Sequence, residues 1–233
     1  HKVRDMVTGP IMPTPGAVME ASNLLYEEIG DLVTIDVGGA TTDVHSVTEG
    51  SEEIARILIN PEPLAKRTVE GDLGVYVNMH NIVNMVGKKE LEKELSISSE
   101  ELERLVQNHK PIPSSELEKS FIEELTLHAE VTAVKRHAGH FRHLYGPEGK
   151  RTLAEGKDLT QVKTIIGTGG ALTRLPNRVE ILEQIANNGK GNELLPTKEA
   201  KILIDSYYIM ASLGVMARKY PEEALLLLKD SLK

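Results

Sequence analysis

The sequence contains no cysteine and no tryptophan, and only two phenylalanines among its 233 residues. Without cysteine there is no disulfide framework and no thiolate chemistry, which excludes a disulfide-stabilised scaffold and a cysteine nucleophile. Long apolar runs are also missing, since the longest one near the end of the chain, residues 224–228, is far too short to span a bilayer. These absences favour a globular, cytoplasmic protein that does not enter a membrane.

Basic residues are outnumbered, because 27 Lys and Arg stand against 35 Asp and Glu and give a formal net charge of −8. An acidic chain has no field that gathers nucleic acid or an anionic membrane surface, so neither is expected as a partner. Any anion-binding site must therefore be local. At this length the chain forms one large domain or two small lobes and buries most of its apolar surface.

The most informative stretch is residues 32–47, in which an apolar run reaches Asp36, turns through Gly38 and Gly39, and returns to Asp43. β-branched residues before the turn and alternation after it predict a β-hairpin. Glycines at the turn permit positive φ and let ligand oxygens approach backbone N–H groups, which is the geometry of an anion-binding nest. Aspartates beside such a nest are compatible with phosphate only when a hard cation lies between them.

Hydrophobic periodicity predicts the elements around this hairpin. A loop through Gly9, Pro10 and Pro13 leads to a helix over 16–29, and residues 54–59 are predicted as a third strand of the same sheet. Charged helical patterns follow the proline cluster at 60–63, with Ser115 and Glu118 as a capping box. The helices predicted in this part of the chain cover residues 75–86, 88–95, 98–106 and 114–144.

A buried strand is predicted again over 162–166, and it ends in a second glycine turn at 167–170. Helices are predicted over 177–186, over 198–219 and from Pro221 onward. Residues 225–228 are predicted to pack in the core, with a partner-binding patch as the alternative. We therefore predict an α/β chain in which residues 1–60 and 157–233 form one lobe and residues 61–156 form an inserted, mainly helical lobe.

The two glycine turns together resemble the actin, heat-shock chaperone and sugar-kinase ATPase superfamily. The first reads Asp-x-Gly-Gly-x-Thr-Thr-Asp and the second, about 130 residues later, reads Ile-Ile-Gly-Thr-Gly-Gly-Ala-Leu. The resemblance implies a ribonuclease H-like, actin-type ATPase lobe, a mixed sheet with helices, that binds ATP or ADP with Mg²⁺. An ordinary tight hairpin and a helix-entry turn are the alternative.

The same resemblance implies roles for individual residues. Phosphate would lie on the first turn, adenosine against the second, and Mg²⁺ beside the two aspartates. Basic residues on a helix of the inserted lobe would contact adenine, with ordinary surface charges as the alternative. The residues implied are Gly38, Gly39, Ala40, Thr41 and Thr42 for phosphate, Gly167, Thr168, Gly169 and Gly170 for adenosine, Asp36 and Asp43 for Mg²⁺, and Lys135 and Arg136 for adenine.

Further motifs are similar to a narrower family, the accessory proteins of adenosylcobalamin-dependent glutamate (methylaspartate) mutase and related aminomutases. They lie at residues 35–47, 67–74, 136–139, 166–172 and 208–214. The resemblance implies an ATP-dependent reactivating chaperone, which opens the mutase so that damaged cobalamin leaves and intact coenzyme enters. The partner implied is therefore the mutase.

Superfamily members also carry a first phosphate loop, Asp-x-Gly-Ser/Thr, and residues 1–30 contain no match to it. We therefore expect this chain to be the C-terminal half of such a protein, with the N-terminal half as its missing partner. No catalytic residue is expected in this half, and ATP hydrolysis by it alone should be weak or absent. The alternatives are a fragment of a hydantoinase- or oxoprolinase-type enzyme and an actin-like assembly protein.

Three histidines, His137, His140 and His143, recur at three-residue steps in the long helix predicted over 114–144. That spacing spreads them over about 120° of a helix, which leaves a metal site as an alternative to solvated side chains. The sequence alone does not decide between the two.

Overall fold

A computed structural model describes residues 14–233, so the loop predicted through Gly9, Pro10 and Pro13 lies outside the described residues. The described strands are β1 (Leu32–Val37), β2 (Thr42–Val47), β3 (Ala65–Glu70), β4 (His140–Gly146), β5 (Gly149–Glu155), β6 (Thr164–Thr168) and β7 (Lys201–Ile204). The helices are α1 (Thr14–Ile29), α2 (Glu52–Ala55), α3 (Met79–Val86), α4 (Lys88–Leu95), α5 (Ser99–Gln107), α6 (Glu116–His137), α7 (Gly169–Arg174), α8 (Arg178–Asn187), α9 (Met210–Met216) and α10 (Pro221–Ser231).

A five-stranded sheet in the order β3-β2-β1-β6-β7 forms the centre of the fold. β2 runs antiparallel to β1 and to β3, whereas β6 lies parallel to β1 and β7 parallel to β6. The buried, β-branched residues of β1 and β6 place these strands in the middle of the sheet. A mixed sheet flanked by helices confirms the predicted α/β fold class.

Successive side chains of β1 point to opposite faces of the sheet and join different cores. Val33, Ile35 and Val37 belong to the larger buried cluster, which includes residues of α3 to α8. Leu32 belongs to the second cluster, with residues of α1, α9 and α10. The sheet is therefore covered by helices on both faces, which positions the ends of β1 and β6 between two packed layers.

Two helices of the region from α3 to α6, namely α5 and α6, begin at serine caps. Ser98 Oγ accepts the Glu101 N–H and Ser115 Oγ accepts the Glu118 N–H, which confirms the helix starts predicted there. Residues 75–78 are not helical, because their polar groups bind the β1–β2 turn, and α3 begins only at Met79. The division of the chain into two lobes stays a prediction.

The strand predicted over 54–59 is wrong. Ser51 Oγ accepts the Ile54 N–H and starts the short helix α2, and the third strand of the hairpin side is β3, after the proline cluster. An N-cap followed by two glutamates favours a helical turn over a strand, whatever the apolar content of the next residues.

The helix predicted over 198–219 is also wrong. Its first part forms β7, which pairs in parallel with the open edge of β6, and only residues from Met210 form a helix. In α10, core packing is confirmed for Leu228, which is fully buried, and wrong for Leu226 and Leu227, which are 68% and 45% exposed. Within residues 14–233, no helix combines the length and the apolar character needed to cross a bilayer.

Candidate nucleotide site

The turn between β1 and β2, residues 38–41, is closed by a hydrogen bond of its own and is bound on one side by residues 75–78. The Gly38 N–H donates to the Thr41 carbonyl at 2.9 Å. Three carbonyl oxygens of the turn face residues 75–78 and accept hydrogen bonds from them. These bonds join Gly38 O to Val75 N at 3.1 Å, Gly39 O to Tyr76 N at 3.0 Å and Val77 N at 2.7 Å, and Ala40 O to the Asn78 side-chain amide at 2.7 Å.

With its carbonyl groups turned backward, the loop leaves its amides available. The N–H groups of Gly39, Ala40 and Thr41 donate to no atom of residues 14–233. These three residues are partly or fully exposed, so a ligand can reach the amides from solvent. Successive unpartnered N–H groups on one side of a turn form an anion-binding concavity, which is the geometry that the sequence predicts here.

Residues 75–78 brace the first turn from behind, and we call them the bracing segment. Gly74, just before them, allows this segment to approach the backbone of the turn. A Cβ placed on Gly74 would lie 2.3 Å from the carbonyl carbon of Ala40 and 2.5 Å from the Gly39 oxygen. Thr42, at the start of β2, is fully buried and donates its hydroxyl to the Leu73 carbonyl at 2.7 Å. The Thr42 side chain therefore holds residues 71–78 against the turn.

The second glycine turn joins β6 to α7 and meets the first turn at Asp36. Thr168 is the direct partner of Asp36 in the β1–β6 ladder. Gly169 has φ +92°, and a Cβ placed there would lie 2.4 Å from the Val37 oxygen and 2.5 Å from Asp36 Oδ1. The two motifs, far apart in the chain, are thus in van der Waals contact through backbone that only glycine permits.

The other glycines of the second turn differ in their surroundings. A Cβ on Gly167 would lie 2.6 Å from Leu182 Cδ1, so this position is set by packing between β6 and α8. A Cβ on Gly170 would meet no atom within 4 Å, so this residue faces open space. Of the two, Gly170 is the one that a ligand can approach.

Asp36 and Asp43 lie opposite each other in the β1–β2 ladder. Burial raises the pKa of Asp36 to about 7, and the charges of Asp43 and Asp205 add to this rise. Burial also raises the pKa of Asp43, against the opposing effect of the Thr41 hydroxyl and the Arg67 charge. Asp43 is 3% exposed, and its Oδ1 has no hydrogen-bond partner among residues 14–233. The pair therefore offers unsatisfied carboxylate oxygens to a cation.

Asp205, at the end of β7, was missed by the sequence analysis because it lay inside a predicted helix. It is fully buried and accepts four hydrogen bonds. The donors are Thr168 Oγ1 at 2.9 Å, Ile209 N at 3.2 Å, Met210 N at 2.9 Å and Ser231 Oγ at 2.6 Å. Asp205 therefore caps α9 and fixes the end of β6, from which the second turn departs.

A cavity of about 420 Å³ opens between the two turns and the start of α6. Gly39 and Gly170 line it from the sheet side, and Tyr76 and His109 line it from the helical side. The two rings lie 5.5 Å apart between centroids, and the His109 ring is fixed by a 2.7 Å hydrogen bond between Nε2 and the Val75 carbonyl. The cavity thus combines free amides with aromatic and apolar walls.

Three basic side chains also line this cavity, and sequence reasoning missed all of them. Lys110 and Lys119 pair with glutamates at 3.5 and 2.9 Å, whereas Arg174 makes no ion pair with a described residue. Arg174 could have been found from the sequence, because it lies four residues after Gly170 on the helix that starts at the second turn. Among these three cations, Arg174 alone has a charge that no carboxylate of residues 14–233 offsets in an ion pair.

Lys135 and Arg136 lie near the end of α6 and do not line the cavity. The Arg136 guanidinium donates to Asp72 at 2.8 and 3.0 Å and to Glu70 at 2.9 Å. This contact holds the pKa of Asp72 below its usual value. Arg136 thus joins α6 to the end of β3 and to the segment that braces the first turn.

The long helix predicted over 114–144 ends at His137, so the three-residue histidine spacing does not continue on one helix. His137 is buried and lies between Ser46 Oγ at 2.7 Å and Thr68 Oγ1 at 2.8 Å. His140 and His143 lie on the exposed strand β4, three positions apart and so on opposite faces. The three do not form a ligand set.

Comparisons with known proteins support one family. A family model described as "MutL protein" matches residues 1–232. Protein MutL of Clostridium tetanomorphum is 35% identical over 238 residues, which cover 97% of this chain and 52% of that relative. The chain therefore spans about half the length of this curated relative.

Three solved structures are similar to this chain at low identity. The ethanolamine utilization protein EutJ from Carboxydothermus hydrogenoformans is 14% identical with a TM-score of 0.36, covering 85% of this chain and 52% of that one. Component A of (R)-2-hydroxyglutaryl-CoA dehydratase from Acidaminococcus fermentans is 11% identical with a TM-score of 0.45, covering 96% and 73%. A non-polymerisable quadruple mutant of pCBH ParM is 19% identical with a TM-score of 0.39, covering 88% and 52%.

Proposed function

The chain belongs to the MutL protein family, and from this membership we propose that it is the nucleotide-gripping part of an ATP-dependent accessory factor of glutamate mutase. The factor would reactivate the adenosylcobalamin-dependent enzyme by exchanging damaged for intact coenzyme. In this proposal the nucleotide changes the shape of the factor, and the shape changes its hold on the mutase.

The observation that carries the proposal is the meeting of the two glycine turns at Asp36. The first turn presents three unpartnered N–H groups, and Gly169 packs directly on the strand end from which that turn departs. A phosphate chain on the first turn would therefore continue toward Gly170 and the cavity without crossing packed backbone. Residues about 130 positions apart are joined at one ligand-sized space.

The cavity fits a nucleoside phosphate in size and in chemistry. Ligand pockets generally measure about 300–1,000 Å³, and this cavity of about 420 Å³ falls in that range. Its aromatic and apolar wall suits a base, and Arg174 supplies a guanidinium that has no carboxylate partner among residues 14–233. A guanidinium is suited to bidentate contact with phosphate oxygens. The adenine contact predicted for Lys135 and Arg136 is not part of this proposal, because neither residue lines the cavity.

The two aspartates fit a magnesium ion, because Mg²⁺ prefers a few carboxylate oxygens together with water and phosphate oxygens. Asp43 Oδ1 lacks a partner among the described residues, and burial raises the pKa of both carboxyl groups. Mg²⁺ held by Asp36 and Asp43 would neutralise charge on the phosphate oxygens. The task of the aspartates is to hold this cation, and neither is assigned as a nucleophile.

The bracing segment gives the nucleotide a route to the rest of the molecule. Residues 75–78 bind the back of the first turn and lead directly into α3, and Arg136 near the end of α6 binds Asp72, which lies three residues before them. Tyr76 and Val77 of this segment are 41% and 65% exposed. A small shift of the turn on phosphate binding would therefore move residues 75–78 and their exposed apolar side chains. Such a movement would change the surface to which a partner protein binds.

Binding is tested by calorimetric titration of the chain with Mg-ATP and Mg-ADP. We expect Asp36→Ala to weaken Mg-nucleotide affinity by about tenfold or more, since it removes one of two cation ligands. Asp31→Ala, immediately before the same strand, is the matched control and should leave the affinity unchanged. Equal affinities of wild type and Asp36→Ala for Mg-ATP would remove the site assignment.

Function is tested in a chimera in which this chain replaces the matching half of Protein MutL from Clostridium tetanomorphum. The chimera, Mg-ATP and fresh adenosylcobalamin together should restore activity to cobalamin-inactivated glutamate mutase, and Asp36→Ala should abolish the recovery. A chimera that binds Mg-ATP but restores no activity would favour the enzyme or filament alternatives. Product analysis and light scattering with nucleotide then separate those two.

A further inference from the structure

Two helices outside the nucleotide site bring two carboxylates and an imidazole together. Glu94 lies in the last turn of α4, and Glu124 and His128 lie one turn apart on α6. His128 Nε2 is 2.9 and 3.1 Å from the two carboxylate oxygens of Glu94. One ligand atom from each of the three residues lies within 4.8 Å of the others.

The charge of this cluster is not balanced by protein cations. Neither glutamate lies within 4.0 Å of a Lys or Arg nitrogen among residues 14–233, and His128 is the one basic group in contact. Glu94 also sits at the end of α4 where the helix dipole is negative, which disfavours a carboxylate. The arrangement therefore concentrates negative charge at the junction of two helices.

We propose that Glu94, Glu124 and His128 form a binding site for a divalent transition metal ion, with Zn²⁺ as the best fit. Three protein ligands of mixed nitrogen and oxygen type, with a fourth position for water, are typical of zinc in proteins. Mg²⁺ and Ca²⁺ prefer oxygen ligands throughout, and copper(I) sites are built from sulfur. Tetrahedral bonds of about 2.0–2.1 Å place neighbouring ligand atoms about 3.3 Å apart, close to the His128–Glu94 separation.

Burial and the neighbouring Glu94 carboxylate raise the pKa of Glu124 to about 7, while His128 opposes this rise. The two carboxylates therefore disfavour each other's charge, and a divalent cation between them would relieve this repulsion. The bound ion would connect the end of α4 to the middle of α6. It would thereby stabilise the packing of these two helices.

A simple ion pair between Glu94 and His128 is the competing explanation of this geometry. Substituting Glu124 distinguishes the two explanations, because a metal site requires its carboxylate and the Glu94–His128 ion pair does not. Glu124→Gln keeps the shape of the side chain and the Glu94–His128 contact but replaces a carboxylate ligand by an amide. Glu123→Gln is its matched control, with the same change of charge one residue away.

The experiment uses the chain freed of metal with EDTA, which is then removed, and titrates it with Zn²⁺ at pH 7.5 by calorimetry. We expect one equivalent to bind, a higher melting temperature with Zn²⁺, and tetrahedral absorption bands when Co²⁺ replaces Zn²⁺. Glu124→Gln and His128→Ala should each lower the affinity by about tenfold or more, and Glu123→Gln should not.

Two results would overturn the proposal. One is the absence of stoichiometric Zn²⁺ binding by the wild-type chain, and the other is an equal loss of affinity in Glu124→Gln and Glu123→Gln, which would mark diffuse charge attraction. Melting curves in EDTA check that each variant folds. Because Glu124→Gln is isosteric and leaves the ion pair in place, it remains informative where His128→Ala unfolds.

Discussion

Asp205 and Glu130 are both fully buried, yet their polar surroundings are opposite. Asp205 accepts four hydrogen bonds, from the end of β6 and from residues at the start of α9 and the end of α10. Glu130, in the middle of α6, has two carboxyl oxygens without a hydrogen-bond partner among residues 14–233. The hydroxyl of Thr126, one turn earlier, has none either.

The difference indicates two uses of a buried carboxyl group. Four donors compensate for the loss of water around Asp205, so this residue connects three elements below the second glycine turn. Nothing compensates at Glu130, where burial raises the pKa well above the usual value of 4.5 and the group stays protonated. The first region is therefore expected to be sensitive to substitution and the second to gain from it.

The largest expected loss comes from Gly169→Val, beside the Asp205 region. A valine there would place Cβ 2.4 Å from the Val37 oxygen at φ +92°, which combines a steric clash with a strained backbone. Each of these two effects costs about 1–3 kcal/mol, so we expect a loss of about 4 kcal/mol in the free energy of unfolding. Urea unfolding measures it.

Gly170→Val is the control for this prediction, because a Cβ on Gly170 meets no atom within 4 Å. We expect its unfolding free energy to stay within about 1 kcal/mol of wild type, whereas a larger side chain at this cavity wall should weaken nucleotide binding. Equal destabilisation by the two valines would mean that the contact of Gly169 with β1 is not what requires glycine.

Asp205→Ala should cost about 3 kcal/mol in unfolding free energy, since it leaves buried donors of three elements without an acceptor. Asp230→Ala, an exposed carboxylate on α10, is the control and should have an effect near zero. A loss below about 1 kcal/mol for Asp205→Ala would show that water replaces the carboxylate, and the contrast with Glu130 would disappear.

Sequence alone predicted the parts of the site that are local in the chain. The strands that lead into the two glycine turns are buried apolar runs followed directly by glycine. Their pattern and their structure therefore coincide within about ten residues. The starts of α5 and α6 were predictable for the same reason, because a serine and the N–H three residues later suffice to form a cap.

The parts that sequence missed depend on contacts between distant residues. Residues 201–204 fit a helical period, but the open edge of β6 selects a strand, so tertiary pairing overrides the local pattern. Asp205 acquires its role only through donors at positions 168, 209, 210 and 231. Arg174 reaches the cavity because α7 starts at the second turn, which periodicity does not reveal.

Glu130→Met should stabilise the protein by about 2 kcal/mol near pH 4.5, and by more at higher pH, because it replaces an unsatisfied buried carboxyl group by an apolar side chain of similar length. The gain depends on pH. Above about pH 4.5 the unfolded chain releases the Glu130 proton and the folded chain keeps it, so wild-type stability falls with rising pH by up to about 1.4 kcal/mol per unit from this residue.

The measurement is urea unfolding of wild type and Glu130→Met between pH 4 and pH 8. The difference between them should be smallest at pH 4 and should widen toward pH 8. A constant difference, or one that narrows as the pH rises, would mean that Glu130 is ionised in the folded state, and its environment would then be closer to that of Asp205.

The smallest effect is expected from Thr168→Val, which keeps the shape of the side chain and removes one of the four donors to Asp205. A single buried hydrogen bond contributes about 1 kcal/mol, and Met210 N still binds the same carboxylate oxygen. Thr164→Val, on the same face of β6, is the control and should be nearly neutral. In the Asp205→Ala background the Thr168 hydroxyl has lost its acceptor, so Thr168→Val should no longer cost stability there. Additive losses in that double-mutant cycle would contradict a shared hydrogen-bond network around Asp205.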